Sequence, residues 1–228
     1  MKIGFHTRFT RPLSLGYLSY LACVDSWRKL ADRVVVVDGG SEDGSCELLT
    51  NWIDRDPKVQ LLSNEQTHWG RSFAWEQSAF NIQLGQDALL DCDWILRTDA
   101  DHVVDLTSAA GLLGELEREY ADKLIISFNV YYLWNGKYRQ RNRPRDWIVN
   151  NRLAKEKGIK VGWGHDLTTQ QLTDNPLRVE GEKEFIDPET QVKKTICCGR
   201  ILPSEGVCSL NVYRYGHFFF SKEQAINN

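Results

Sequence analysis

Four consecutive valines, Val34 to Val37, run straight into Asp38-Gly39-Gly40-Ser41-Glu42-Asp43-Gly44-Ser45. An unbroken β-branched run followed by a Gly-rich turn and a helix-capping pattern is a buried strand leading into a helix, the joint of a β-α unit. Around it, the first 130 residues alternate short aliphatic runs with longer amphipathic stretches. Strands are expected over Lys2–Thr7, Arg33–Asp38, Val59–Ser63 and Trp94–Thr98. Helices are expected over Leu13–Leu30, Gly44–Ile53 and Arg71–Leu89, where apolar residues recur at three- and four-residue intervals. Thr107 or Ser108 would cap a further helix to Tyr120, ahead of a strongly apolar strand from Leu124 to Leu133. This alternation predicts an α/β fold with a mostly parallel central sheet flanked by helices. After Gly136 the pattern loosens into Asn, Arg, Pro and Gly-rich sequence with scattered aromatics. Long loops and irregular strands are expected there, shaping a site rather than extending the sheet.

At 228 residues the chain can bury one sizeable core and is short for two, so a single domain over residues 1–228 is expected. Eight Trp, eight Tyr and nine Phe offer far more burial than a solvated chain carries, which argues against disorder. The balance of 28 basic to 31 acidic residues leaves a net charge of −3, without the overall basic excess of a general nucleic-acid binder. The longest purely aliphatic run, Val34 to Val37, is far short of the roughly 20 apolar residues that cross a bilayer. The N-terminus turns polar by His6-Thr7-Arg8, unlike a secretory signal, so a cytoplasmic location is expected. Six cysteines with no C-x-x-C pair read as free thiols rather than a disulfide framework or a zinc knuckle.

Ligands of open α/β sheets sit beyond the carboxyl ends of the strands. The Asp38 turn lies at such an end, and on its own it is equally an ordinary turn with a helix cap. A second junction, Asp93-Trp94-Ile95-Leu96-Arg97-Thr98-Asp99-Ala100-Asp101-His102, carries a D-x-D triplet on each side of its strand. Asp91-Cys92-Asp93 precedes the strand and reads as surface. Asp99-Ala100-Asp101 follows it, on the rim that Asp38 shares. Two carboxylates one residue apart repel unless a cation intervenes, and hard oxygen donors suit Mg²⁺ or Mn²⁺.

These two junctions resemble family 2 glycosyltransferases of the GT-A fold, whose members read V-D-D-G-S-x-D-G-T at the first place and D-x-D at the second. The resemblance runs through about residue 105, which divides the domain into a nucleotide-sugar-binding half (1–105) and an acceptor-facing half (106–228). It implies transfer of a sugar from a nucleotide-diphosphate donor, a UDP-sugar by expectation, with Mn²⁺ or Mg²⁺ assistance. It places Thr7, Asp38 and Arg71 on nucleotide-contacting positions, and Asp99 and Asp101 on the ribose and metal-diphosphate positions, Asp101 being the more direct metal ligand. Gly39 stands where relatives carry a base-contacting acid, which leaves the nucleobase open. Gly70-Arg71 opens a helix, and a cation beside helix N-terminal N–H groups suits a nucleotide's acidic diphosphate or its base edge, a solvated arginine being the plainer alternative.

Further resemblances extend the site. Tyr215-Gly216-His217 resembles the late histidine that completes the metal shell in many GT-A enzymes, and a histidine beside Phe218-Phe219-Phe220 is otherwise structural. Trp163-Gly164-His165-Asp166 resembles W-x-G-x-H-E, one residue shorter, which makes Asp166 the candidate base of an inverting hexosyl- or pentosyltransferase. Glu180, Glu182 and Glu184 are rivals for that role, and His102 stands where a Glu often follows D-x-D. Lys137 to Lys160 holds nine basic residues against two acidic ones. That segment could grip a nucleic acid or a phosphorylated glycan, or simply form a solvated basic loop. The acceptor is therefore a glycan or another hydroxyl compound, with a nucleic-acid acceptor as the alternative. A sugar nucleotidyltransferase is disfavoured because Thr7-Arg8-Phe9-Thr10-Arg11 lacks glycine after the first strand, and a catalytically silent binding module is the rival of another class.

Overall fold

The computed structural model describes residues 1–64, 74–134, 137–140, 147–158, 161–163, 177–179, 182–186, 193–197, 200–201 and 204–214, and side chains over 1–64, 80–132, 147–158 and 204–214. In chain order the elements are β1 (Ile3–Phe9), α1 (Ser19–Leu30), β2 (Arg33–Asp38), α2 (Ser45–Trp52), β3 (Val59–Ser63), α3 (Ala74–Asp87), β4 (Trp94–Arg97) and β5 (His102–Val104). They continue as α4 (Leu106–Ala109), α5 (Leu112–Arg118), β6 (Ile125–Trp134), β7 (Lys137–Gln140), β8 (Trp147–Asn150) and α6 (Asn151–Glu156). The last are β9 (Val161–Trp163), β10 (Leu177–Val179), β11 (Glu182–Ile186), β12 (Lys193–Cys197), β13 (Arg200–Ile201) and β14 (Val207–Arg214).

A nine-stranded sheet runs β3-β2-β1-β4-β8-β6-β14-β5, with β7 paired to β6. Strands β3, β2, β1, β4, β6 and β14 point one way, while β8, β7 and β5 point the other, so the sheet is mostly parallel. The valine run explains the central position of β2. Val34 and Val36 join the core cluster under α1 and α2, Val35 and Val37 join the cluster under α3, and all four are 0% exposed. Both faces are therefore covered, as a central parallel strand requires. On the α1 side, Trp27 stacks on Phe5 at 4.3 Å and 5° and tilts against Phe128 at 6.3 Å, which fixes the helix over the middle of the sheet.

Helix α1 starts at Ser19, not at Leu13. The segment before it folds into tight turns, Gly16 N–H bonding to Leu13 O and Tyr17 N–H to Pro12 O, with Gly16 at φ +78° in the left-handed region that ends a helical run. The cap of α4 is Asp105, whose side chain accepts from Thr107 N–H at 2.9 Å, rather than Thr107 or Ser108. The expected helix to Tyr120 is divided into α4 and α5.

The back half does extend the sheet. Strand β8 wedges antiparallel between β4 and β6, and β14 slots between β6 and β5. Cys208, Leu210 and Val212 of β14 alternate into the core, the period-2 pattern of a half-covered strand. Glu205 pins its approach by accepting from Leu124 N–H at 2.5 Å and Ile125 N–H at 3.2 Å.

Strand β5 ends the series, and its outer edge is closed by side chains of α1. Ser26 Oγ accepts from Val104 N–H at 3.2 Å, and Trp27 Nε1–H donates to His102 O at 3.1 Å. Among the described residues β5 has no strand partner on that side, and these bonds take its place. Among the described residues no helix is long and apolar enough to cross a membrane. Cys23, Cys92 and Cys208 are buried free thiols, and Cys46 is a partly buried one.

Candidate active site

The carboxyl ends of β1, β2 and β4 meet on one rim because the three strands are parallel neighbours, Phe9 lying beside Asp38 and His6 beside Arg97. Thr7 is buried, and its Oγ1–H donates to Thr98 O at 3.0 Å, tying β1 to the segment after β4. Asp38 closes β2 at 2% exposure. Its oxygens accept from Ser41 N–H at 3.2 and 3.0 Å and from Ser41 Oγ–H at 2.5 Å. Ser41 Oγ accepts in turn from Arg11 N–H, so Asp38 fixes the Gly39-Gly40 turn to the loop after β1. Gly40 sits at φ +84°, a conformation that favours glycine. Asp43 anchors the same loop, accepting from Ser14 N–H and from Ser45 at the start of α2.

Beyond β4 the chain brings Asp99, Asp101 and His102 together, with one ligand atom of each lying within 4.8 Å of the others. Arg97 Nη2–H donates to Asp99 Oδ1 at 2.7 Å. His102 Nδ1 lies 2.8 Å from Asp101 Oδ1, and Arg214 Nε–H donates to Asp101 Oδ2 at 2.9 Å. The His102 position is set by its backbone, held by Trp27 on one side and paired with Arg214 across β14 on the other. Asp91 and Asp93 lie at the opposite strand ends, where Lys2 and Arg33 pair with Asp91 and Lys2 N–H donates to Asp93. The two D-x-D triplets are thus separated by the length of β4, as expected.

The charges around Asp99 are set by burial and by arginines. Burial works against the Asp99 carboxylate, but Arg97, His102, Arg8 and Arg214 outweigh it and hold the group far below the usual range. Asp101 is lowered in the same sense. Burial opposes its charge, the adjoining His102 imidazole and the Arg214 guanidinium favour it, and Asp99 opposes it. Arg8, half-buried beside Asp99, is pushed down to about 10 by burial and remains a cation at neutral pH. Beneath the rim, burial and then Arg97 push His6 down to about 3, so it is neutral.

Three ligand atoms within 4.8 Å of one another suit a single divalent cation, whose ligands at roughly 2.0–2.6 Å lie within about 4–5 Å of one another. Among the described residues no hydrogen bond reaches Asp99 Oδ2, which leaves a hard oxygen for it. The surrounding guanidinium groups of Arg8, Arg97 and Arg214 favour an anion arriving at the same rim.

Of the residues expected from the sequence, Thr7, Asp38, Asp99 and Asp101 converge on this rim. Arg71, Asp166, His217 and the rivals Glu180, Glu182 and Glu184 lie outside the residues whose side chains are described, as does most of the basic 137–160 segment; Arg152, Lys155 and Lys157 of that segment are exposed on and just after α6. Sequence reasoning left His102 without a role and did not single out Arg8, Arg97 or Arg214. The signal for Arg97 was its place in the apolar strand Trp94-Ile95-Leu96-Arg97, where a charge 2% exposed needs a partner.

A family model, glycosyl transferase family 2, matches residues 19–170, about two-thirds of the chain. The chain belongs to glycosyl transferase family 2. The solved structures it resembles include S. aureus TarS 1–349 in complex with UDP-GlcNAc, at TM-score 0.54 and 12% identity over 77% of this chain and 51% of that one. TarS 1–349 in complex with UDP gives TM-score 0.51 and 14% identity over 75% and 52%, and TarS 1–349 gives 0.51 and 13% over 75% and 52%. At such identities the likeness concerns the fold, which is the GT-A fold expected for this glycosyl transferase family 2 chain. The chain spans about half the length of these structures. No match was found among curated proteins.

Proposed function

We propose that this family 2 chain takes a sugar from a nucleotide-diphosphate donor, a UDP-sugar, and passes it to a glycan or other hydroxyl acceptor with Mn²⁺ or Mg²⁺ assistance. The observation that carries the reading is the Asp99, Asp101 and His102 cluster, set at the carboxyl end of β4 beside Thr7 and Asp38. Asp99 and Asp101 would hold the cation, with His102 as a third ligand from the described residues and His217 as the one implied by family resemblance. A bound divalent cation stabilises the charge that develops on a departing diphosphate. The protein's own part is to orient the donor. Thr7, Asp38 and Arg71 face the nucleotide and Asp99 the ribose, while the arginines of the rim draw in the diphosphate and keep both carboxylates ionised. Asp166 is the proposed base of an inverting reaction, deprotonating the acceptor hydroxyl. A continuous sheet to which both the 1–105 and 106–228 halves contribute supports one domain, and a cytoplasmic location remains part of the proposal.

The test is calorimetric titration of UDP, GDP, CDP and ADP in Mn²⁺ and in EDTA, on the native protein and on Asp101→Ala. We expect metal-dependent binding of UDP that Asp101→Ala abolishes while the thermal transition stays cooperative. Binding of no nucleotide by the folded native protein would overturn the donor-site reading.

A further inference from the structure

Both oxygens of Asp101 already lie against nitrogen atoms of the protein, and one of these belongs to a permanent cation. His102 Nδ1 lies 2.8 Å from Oδ1, and Arg214 Nε–H donates to Oδ2 at 2.9 Å across a sequence separation of 113 residues. Yet Asp101 belongs to the cluster whose geometry fits a divalent cation. A cation there would stand next to the Arg214 guanidinium, and like charges a few ångströms apart in a partly desolvated rim repel strongly. The conflict disappears if the guanidinium leaves Asp101 for an anion. The pair is placed for this exchange: the Arg214 and Asp101 side chains are 33% and 21% exposed, so the contact lies at the mouth of the rim rather than in the core. The bond uses Nε, while the other N–H groups of a guanidinium lie farther out along the side chain, in a fork that matches phosphate oxygens.

We propose that Arg214 is an exchangeable partner of Asp101, competing with the divalent cation for its carboxylate when no donor is present and moving to the diphosphate when cation and donor arrive together. This rests on the donor-site reading given above. Cation and nucleotide then bind as a pair, because each removes the obstacle to the other: the cation displaces Arg214, and the diphosphate receives it. Arg214 acts through Asp101 and is a positioning residue. No role in folding alone gives the same pattern, since simple loss of a structural contact would loosen the cluster and weaken every ligand.

The experiment is a Mn²⁺ titration without nucleotide, followed by a UDP titration in saturating Mn²⁺, on native protein, Arg214→Ala, Arg214→Gln and Arg214→Lys. Cooperative unfolding of each variant is checked first, and Arg214→Gln keeps length and polarity should Arg214→Ala fail to fold. We expect Arg214→Ala and Arg214→Gln to bind Mn²⁺ alone about tenfold more tightly than the native protein, and UDP about tenfold more weakly. Arg214→Lys keeps the charge and should stay near native for Mn²⁺. An Asp101→Asn change in any background should remove the Mn²⁺ gain, which locates the ion. Unchanged or weaker Mn²⁺ binding in both neutral variants, with UDP still binding the native protein, overturns the exchange alone. Tighter Mn²⁺ with no loss of UDP overturns it as well. Absence of UDP binding by native protein in Mn²⁺ removes the donor-site reading, and the exchange with it.

Discussion

Replacing Trp27 by Phe tests whether helix α1 closes the free edge of the sheet. Trp27 is fully buried, stacks on Phe5 and donates its indole N–H to His102 O at 3.1 Å. Phenylalanine keeps a ring in the stack but leaves that carbonyl without its donor. A buried polar group deprived of its partner costs about 1–3 kcal/mol, and the volume lost from indole to phenyl adds about 1 kcal/mol of cavity. The sum, about 2–4 kcal/mol, corresponds at this chain length to a fall in Tm on the order of 5–15 °C. Urea denaturation should show a lower midpoint with an unchanged slope. The effect should reach the site, because the deprived carbonyl is that of His102, next to Asp101. Metal-dependent UDP binding should weaken alongside stability. Ser26→Ala removes the neighbouring edge bond to Val104 N–H and should also destabilise, with the double variant losing less or more than the sum because the two bonds adjoin. A Trp27→Phe protein within about 0.5 kcal/mol of native, binding UDP normally, would refute the edge-closure argument.

Two further outcomes follow from the ground beneath the rim. His6 stays neutral in the fold down to about pH 3, whereas in the unfolded chain it takes a proton below its ordinary 6.5. The unfolded state therefore binds the extra proton in that window, and stability should fall as pH drops from 6.5 toward 3, with a slope of up to about 1.4 kcal/mol per pH unit. His6→Asn should flatten the stability profile between pH 6 and pH 4, and an equally steep native-like profile would exclude His6 as its source. Gly85 lets α3 approach that histidine, since a Cβ built there would lie 2.7 Å from His6 Nδ1. Helix propensity alone favours Gly85→Ala by about 1 kcal/mol, but overpacking against a buried ring costs about 1–3 kcal/mol. A net loss is expected by chemical denaturation, and a stabilised variant would contradict the close approach.

The parts of the fold that were legible in the sequence are those set by local pattern. Val34 to Val37 could only be a covered strand, the Asp38 turn had to follow it, and Asp99-Ala100-Asp101 fell on the same rim because strands in such units run in parallel. What escaped depended on distant partners. Strand β8 is four residues, too short to show a period, and acquires its identity from β4 and β6 on either side. The alternation of Val207-Cys208-Ser209-Leu210-Asn211-Val212 was visible, but its partner β6 lies about 80 residues earlier, and nothing local named it. The same holds for the charges. An arginine in a sequence has the look of a solvated side chain, and only the register of β14 with β5 shows that Arg214 meets Asp101. The start of α1 was misplaced for a local reason, the left-handed Gly16, which apolar spacing does not register.

The slot that β14 fills has a consequence for the order in which the molecule matures during synthesis. Among the described residues β5 pairs with β14 alone, so residues 102–104 emerge from the ribosome roughly a hundred residues ahead of the strand they pair with. The units from β1 to β4 can assemble early from contacts already made, while the Asp101 carboxylate waits for Arg214. A nascent chain halted before residue 207 would carry the Thr7, Asp38 and Asp99 side of the rim without its final form, and the rim proposed to hold a cation and a diphosphate would be completed late, with the closing of the sheet.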